Sequence, residues 1–255
     1  MKRGWKDLHL SPFGWKMTDL PIEYRCTHLV RHIQPESRKK THYYNKGYSM
    51  KLKMLCALAV GSFALHAETV EIVKGMPYVD VEANGKVYRI EREQKPESYL
   101  TNTFALTSRP SPPFFIQPFE AAPGVETYGE LELLDFIKNK KGVFIDARLP
   151  NWYKRSAIPT AVNIPFKIFL TDTPQREKVL KFFGVEYDKN GKYNFTNAKT
   201  LLLYCNGAWC GQSPTAIHAL LKIGYPADDL KYYRGGMQSW QLLGLTTIVP
   251  EESEE

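Results

Sequence analysis

Residues 201–221 read LLLYCNGAWCGQSPTAIHALL: an apolar run, a loop with two glycines and two cysteines, and an amphipathic segment introduced by Ser213-Pro214. Leu201-Leu202-Leu203-Tyr204 lacks the alternation of a half-exposed strand, so it suits a strand covered on both faces of a parallel sheet. Ser213 is a favourable N-cap and Pro214 a favourable first residue, and Ala216, Ile217, Leu220 and Leu221 continue a helical stripe to a stop at Gly224. The loop Asn206–Gln212 is therefore expected to hang over a helix N-terminus, beyond the carboxyl end of a strand. Open parallel sheets bind ligands at that position. Unpaired amides there favour an anion and lower the pKa of a nearby thiol. Gly207 and Gly211 allow the backbone to curve around a sulfur. A cysteine after a buried strand is also a common small apolar filler, and His218, inside the helix, reads as structural.

Working outward, strands and helices alternate. Thr127 and Glu130 have capping-box spacing for a helix through Leu131, Leu134 and Ile137 to a stop at Gly142. Val143-Phe144-Ile145 reads as a buried strand, Ala161 to Pro165 as a short one, and Thr173-Pro174 opens a helix that ends at Gly184. Asn190-Gly191 predicts a small hairpin between Val185–Tyr187 and Tyr193–Phe195. Leu230–Tyr233 is a further strand, Gly235-Gly236 a turn, and Met237–Leu243 a last helix. The fold class is thus α/β, a parallel sheet with helices on both faces. Before it, residues 70–93 alternate around Asn84-Gly85 as an N-terminal β-hairpin extension. Residues 94–124, with six prolines, read as an extended connector, and Phe114, Phe115 and Ile116 are too apolar for a free linker, so the connector should lie on the main domain.

Several pieces in order resemble the rhodanese-like family of sulfurtransferases, in particular an exported bacterial member. Asp146-Ala147-Arg148 is similar to the family's Asp-x-Arg, Ile158-Pro159-Thr160-Ala161-Val162-Asn163-Ile164-Pro165 to its stretch ending in Asn-Ile-Pro, and Leu203-Tyr204-Cys205 to its active-site strand. Gly235-Gly236 and Trp240 before Gly244 complete the resemblance, which spans about 127–246. It implies that Cys205 is the catalytic nucleophile, taking sulfane sulfur as a persulfide and passing it to an acceptor. It also implies that the loop residues Asn206, Gly207, Ala208, Trp209, Gly211, Gln212 and Ser213 bind the substrate, with no metal and no organic cofactor. Asp146 and Arg148 organise the loops, and Arg148 or Arg234 is the candidate to reach the substrate. The chain departs from the pattern in two respects. The family loop closes with an arginine before a serine, whereas Gln212 precedes Ser213 here, and the loop is two residues longer. The missing arginine argues against the phosphatase branch of the fold and deprives a dianion of charge-assisted hydrogen bonds.

Composition bounds the remaining possibilities. The 255 residues carry a formal net charge of +7, yet residues 1–67 hold 12 of the 34 Lys+Arg and only 4 of the 27 Asp+Glu. The body is near neutral, so no phosphate-tracking surface and no nucleic-acid partner are expected. Lys51, Lys53, the apolar run Met54–Leu65 and Ala67 form the three parts of a secretory signal at 50–67, too short for a stable membrane-spanning helix. Residues 1–49 are expected to be a non-native or disordered leader, with translation starting at Met50 after a purine-rich Lys46-Gly47 codon pair. The remaining expected boundaries are 68–125 for the hairpin and Pro-rich extension, 126–249 for the rhodanese-like domain and 250–255 for an acidic tail. Beyond the signal only Cys205, Cys210 and His218 remain among the cysteines and histidines, so histidine-based metal sites and triads lack their parts.

Three functions fit this pattern. The first is a periplasmic sulfurtransferase acting on a small sulfur-containing substrate or thiol acceptor. The second is a thiol-disulfide redox protein in which Cys205 attacks and Cys210 resolves, since an exported pair separated by four residues can close. The third is a non-catalytic binding module with a protein partner at 109–118. Trp209 serves either as an apolar wall for a substrate or as loop packing.

Overall fold

The computed structural model describes residues 69–251. The signal-like segment 50–67, the leader 1–49 and most of the acidic tail lie outside the described residues. Five parallel strands form the central sheet: β3 (Glu126–Tyr128), β4 (Val143–Asp146), β5 (Val162–Asn163), β8 (Leu201–Tyr204) and β9 (Leu230–Tyr233), in the spatial order β3-β9-β8-β4-β5. Helices α1 (Glu130–Lys138), α2 (Pro150–Tyr153), α3 (Pro174–Phe182), α4 (Gln212–Lys222) and α5 (Gly236–Leu242) connect or follow these strands. This is a mixed α/β fold, a parallel sheet flanked by helices.

Strand β8 is central and buried along its whole length, which explains its unbroken apolar run. Its side chains divide two cores by strand alternation. Leu201 and Leu203 join Ile217 and Leu220 of α4 and Leu180 of α3 on one face. Leu202 and Tyr204 join Leu133 and Phe136 of α1 and Trp240 of α5 on the other.

The hairpin of β1 (Tyr78–Ala83) and β2 (Lys86–Glu91) turns at Asn84 (φ 51°) and Gly85 (φ 74°), the left-handed pair a two-residue hairpin requires. Val79, Val81 and Ile90 point into the second core beside α1, so the hairpin is part of that core. Glu93 N–H donates to Gly244 O at 2.7 Å and Thr246 N–H to Glu91 O at 3.1 Å, which ties the hairpin to the segment after α5. The second hairpin, β6 (Glu186–Tyr187) with β7 (Tyr193–Asn194), turns at Asn190-Gly191.

Two expected helix starts shift. Thr127 lies in edge strand β3, where its hydroxyl donates to Phe119 O at 2.8 Å; α1 begins after Gly129, whose N–H donates to Glu132 Oε2 at 3.1 Å. The three-residue spacing is used two residues later, between Gly129 and Glu132, because Thr127 pairs with Tyr232 of β9. Ser213 is likewise not an N-cap: α4 starts at Gln212 with Gly211 before it, leaving the Ser213 hydroxyl free to face inward. Among the described residues no helix is long and apolar enough to cross a membrane.

Candidate active site

Cys205 follows the last residue of β8, and the loop from Asn206 to Gly211 carries the chain from the sheet to α4. Three sets of bonds fix its curvature. Cys210 N–H donates to Gly207 O at 2.9 Å, closing the loop on itself. Met237 N–H donates to Cys205 O and Gln238 N–H to Asn206 O, both at 3.0 Å, anchoring it on the first turn of α5. Gly236 sits directly beneath at φ 55°, where a Cβ would stand 2.4 Å from Cys205 O and 2.6 Å from Gly207 N. Only glycine combines that backbone with that approach.

Beside the loop, the Asp146 carboxylate receives Arg148 Nε at 2.9 Å, Arg148 N–H at 3.0 Å and the Tyr204 hydroxyl at 2.8 Å. Tyr204 immediately precedes Cys205, so this cluster sets where the strand ends. Arg148 is buried at 1 % exposure and also donates to Ser156 O at 2.6 Å. Its Nε and Nη2 are engaged by Asp146 and Ser156, and its charge reaches Cys205. Arg234 is likewise engaged, donating to Gln117 O at 2.9 Å and Pro118 O at 3.1 Å.

Both thiols are reduced and buried, Cys205 at 1 % and Cys210 at 2 % exposure. Cys205 Sγ lies 3.1 Å from Cys210 O and receives the Ser213 hydroxyl at 3.0 Å. Cys210 Sγ is 3.5 Å from Asn206 Nδ2 and 3.6 Å from Gln212 Oε1. Burial pushes the Cys205 thiol well up. Cys210 moves the other way, to about 7, first because the Cys205 thiol hydrogen-bonds to it and then because the Asn206 and Gln212 amides donate to it. The start of α4 and its loop thus serve both thiols. Ser213 donates to Cys205 through its hydroxyl and backbone N–H, but burial outweighs these bonds there, whereas at Cys210, two residues before the first residue of α4, the donors prevail.

The proline-rich connector lies over this loop. Gln117 N–H donates to Ala208 O at 2.8 Å, and Phe114 packs edge-on against Trp209 with centroids 5.0 Å apart. Arg109 covers the same indole at 3.8 Å, and Trp209 Nε1 donates to Gln238 Oε1 at 2.6 Å. Trp209 is therefore occupied by intramolecular packing. A cavity of about 1280 Å³ opens beside it, lined among others by Arg109, Phe114 and Gln238, but neither thiol lines it. Its walls hold no cysteine.

The sequence reading missed Tyr232. Its side chain is fully buried on the Cys205 face of the sheet, its hydroxyl has no hydrogen-bond partner, and the charges of both thiols reach it. Asn206 Oδ1, in the loop itself, is also buried without a partner. The available signal was parity: Tyr232 stands opposite Leu203, two residues before Cys205, so both side chains project to one face. Among the described residues no group of three or more His, Cys, Asp or Glu is placed to hold a metal ion.

Residues 131–243 match the rhodanese-like domain family. Among solved structures, the chain is similar to a Bacillus halodurans protein at 23% identity, covering 46% of this chain and 72% of that one with a TM-score of 0.33. A human single-domain sulfurtransferase aligns at 18% identity over 47% of this chain and 96% of its own, with a TM-score of 0.32. A rhodanese with anions from E. coli aligns at 22% identity over 42% and 98%, with a TM-score of 0.28. No curated protein sequence matches the chain.

Proposed function

We propose that the protein is a sulfurtransferase that receives a sulfane sulfur on Cys205 as a persulfide. The observation that carries the reading is the placement of the Cys205 thiol. Within the rhodanese-like domain it stands at the carboxyl end of the central strand, with the Ser213 hydroxyl directed onto it at 3.0 Å. In the resting state Cys205 keeps its proton and Cys210 is the more acidic thiol. Cys205 Sγ attacks the outer sulfur of the donor, its S–H proton passes to the Cys210 thiolate, and the donor departs as the anion of its remaining part. The unpartnered Tyr232 hydroxyl is the group that donates to the transferred sulfur.

The loop favours particular donors. No Lys or Arg stands between Cys205 and Gln212, and Arg148 and Arg234 are engaged elsewhere. A charge-assisted hydrogen bond is worth about 1.5–3 kcal/mol, so a dianion such as thiosulfate is disfavoured relative to a monoanionic persulfide or a polysulfide. The apolar run Met54–Leu65 supports export, which places the thiol pair where oxidised sulfur species persist.

Intact-mass and peptide-level mass spectrometry after incubation with a polysulfide tests the assignment. One added sulfur is expected on Cys205. A Cys205→Ser variant that gains sulfur as fast as the parent would remove Cys205 from the mechanism.

A further inference from the structure

The loop holds a second thiol that simple sulfur relay does not need. Cys210 is as buried as Cys205, and its carbonyl oxygen accepts from the Cys205 thiol at 3.1 Å. The connector crosses the same loop through Gln117, Phe114 and Arg109. An external acceptor thiol must pass or displace that cover, whereas Cys210 is already inside. Holding reactants together in this way gives effective concentrations far above those of free thiols. A persulfide anion on Cys205 would also find no cation in the loop, because the Arg148 and Arg234 guanidiniums are fixed on Asp146 and on the connector carbonyls. The site is better built to discharge a sulfur than to store one.

Building on the persulfide reading, we infer that Cys210 resolves the persulfide inside the loop and releases the transferred sulfur as hydrosulfide, which makes the protein a reductase of sulfane sulfur. In this step Cys210 Sγ attacks Cys205 Sγ, the bond between Cys205 Sγ and the outer sulfur breaks, and the outer sulfur leaves with the electron pair of that bond. The proton that Cys210 gained during loading departs on it, so Cys205–S–S⁻ and Cys210–SH become the Cys205–Cys210 disulfide and HS⁻. The two thiols are oxidised and the sulfane sulfur is reduced by the same two electrons. A dithiol reductant then returns the disulfide to the resting pair by thiol exchange.

The full-length protein is reduced, freed of reductant without oxygen, and mixed separately with cysteine persulfide and with thiosulfate. Hydrosulfide is measured against a Cys205→Ser blank, and intact and peptide masses are taken at intervals. The parent is expected to release about one hydrosulfide per chain and to end with Cys205 linked to Cys210. Cys210→Ser and Cys210→Ala, both checked for a native melting transition, are expected to load more slowly because the proton acceptor is gone, but once loaded to retain the added sulfur on Cys205 and release hydrosulfide at least about tenfold more slowly than the loaded parent. A parent that retains the added sulfur as long as these variants overturns the inference and leaves the persulfide assignment standing. Absence of added sulfur in both Cys210 variants, with no linkage in the parent, defeats the persulfide assignment itself and the inference with it.

Discussion

Cys205 and Cys210 belong to one loop and are both buried, yet they hold their protons differently because burial outweighs the Ser213 donors at Cys205 while the donors prevail at Cys210. The Cys205 thiol, the Asn206 and Gln212 amides and Asn206 Nδ2 all stabilise its anion. A group held near 7 is mostly thiolate above that pH and mostly thiol below it, so the ultraviolet thiolate signal should rise with a midpoint near 7. In Cys205→Ala the first of these donors is gone, and the midpoint should move up toward the ordinary cysteine value of about 8.5. An unchanged midpoint would show that Cys205 does not set the acidity of its neighbour. Tyr232→Phe separates function from stability at the same scale. Its hydroxyl has no partner, so removing it should leave stability unchanged or raise it by up to about 1–3 kcal/mol, while sulfur loading on Cys205 falls. Equal loading in parent and variant would dissociate Tyr232 from the reaction. The position of Cys205 was legible in the sequence, because the apolar run of β8 announces it. The surroundings of Arg148 were not legible, since a short motif does not reveal that Nε and Nη2 of a buried guanidinium are held by Asp146 and Ser156.

At the scale of elements, periodicity located the long pieces and missed the contacts that trim them. Strand β8 and helix α4 follow from an apolar run and a helical stripe, but the start of α4 moved to Gln212 because Ser213 turns its hydroxyl onto Cys205. Edge strand β3 is three residues long and exists through pairing with β9, a partner about a hundred positions away that local pattern cannot register. The Gly235-Gly236 pair was visible as a turn; that its second member also supports the cysteine loop was not. Gly236→Ala would place a Cβ 2.4 Å from Cys205 O at a left-handed φ of 55°. The loop and α5 must separate, so sulfur loading should be lost together with about 1–3 kcal/mol of stability. Normal loading would show that the loop tolerates displacement. The connector makes a second element-level prediction. Arg234→Ala removes the guanidinium that binds Gln117 O and Pro118 O, the first bond part-buried and the second exposed, in the cover over the cysteine loop. Alkylation of Cys205 and Cys210 by a bulky maleimide should accelerate several-fold, with the melting transition changed by no more than about 1 kcal/mol.

For the molecule as a whole, the two cores on opposite faces of one thin sheet must be stable together, because each contributes one side of β8. Leu201 and Leu203 rest on α3 and α4, and Leu202 and Tyr204 rest on α1 and α5. The N-terminal hairpin belongs to the second of these cores: Ile90 is fully buried there, and main-chain bonds from Glu93 and Thr246 hold it to the end of α5. The sequence displayed the hairpin through Asn84-Gly85 but gave no sign that Val79, Val81 and Ile90 complete the packing around Trp240. Removing three carbons from Ile90 should therefore weaken the entire domain. Ile90→Ala is expected to cost about 2–5 kcal/mol, the range for truncating a buried aliphatic side chain. Denaturation followed by far-ultraviolet circular dichroism and by thiol exposure should shift to the same lower midpoint, since the structure that surrounds Cys205 and the structure that contains Ile90 share β8 and α5. If thiol exposure kept the parent midpoint while part of the circular dichroism signal melted earlier, the hairpin would be an independent appendage and the second core would close without it.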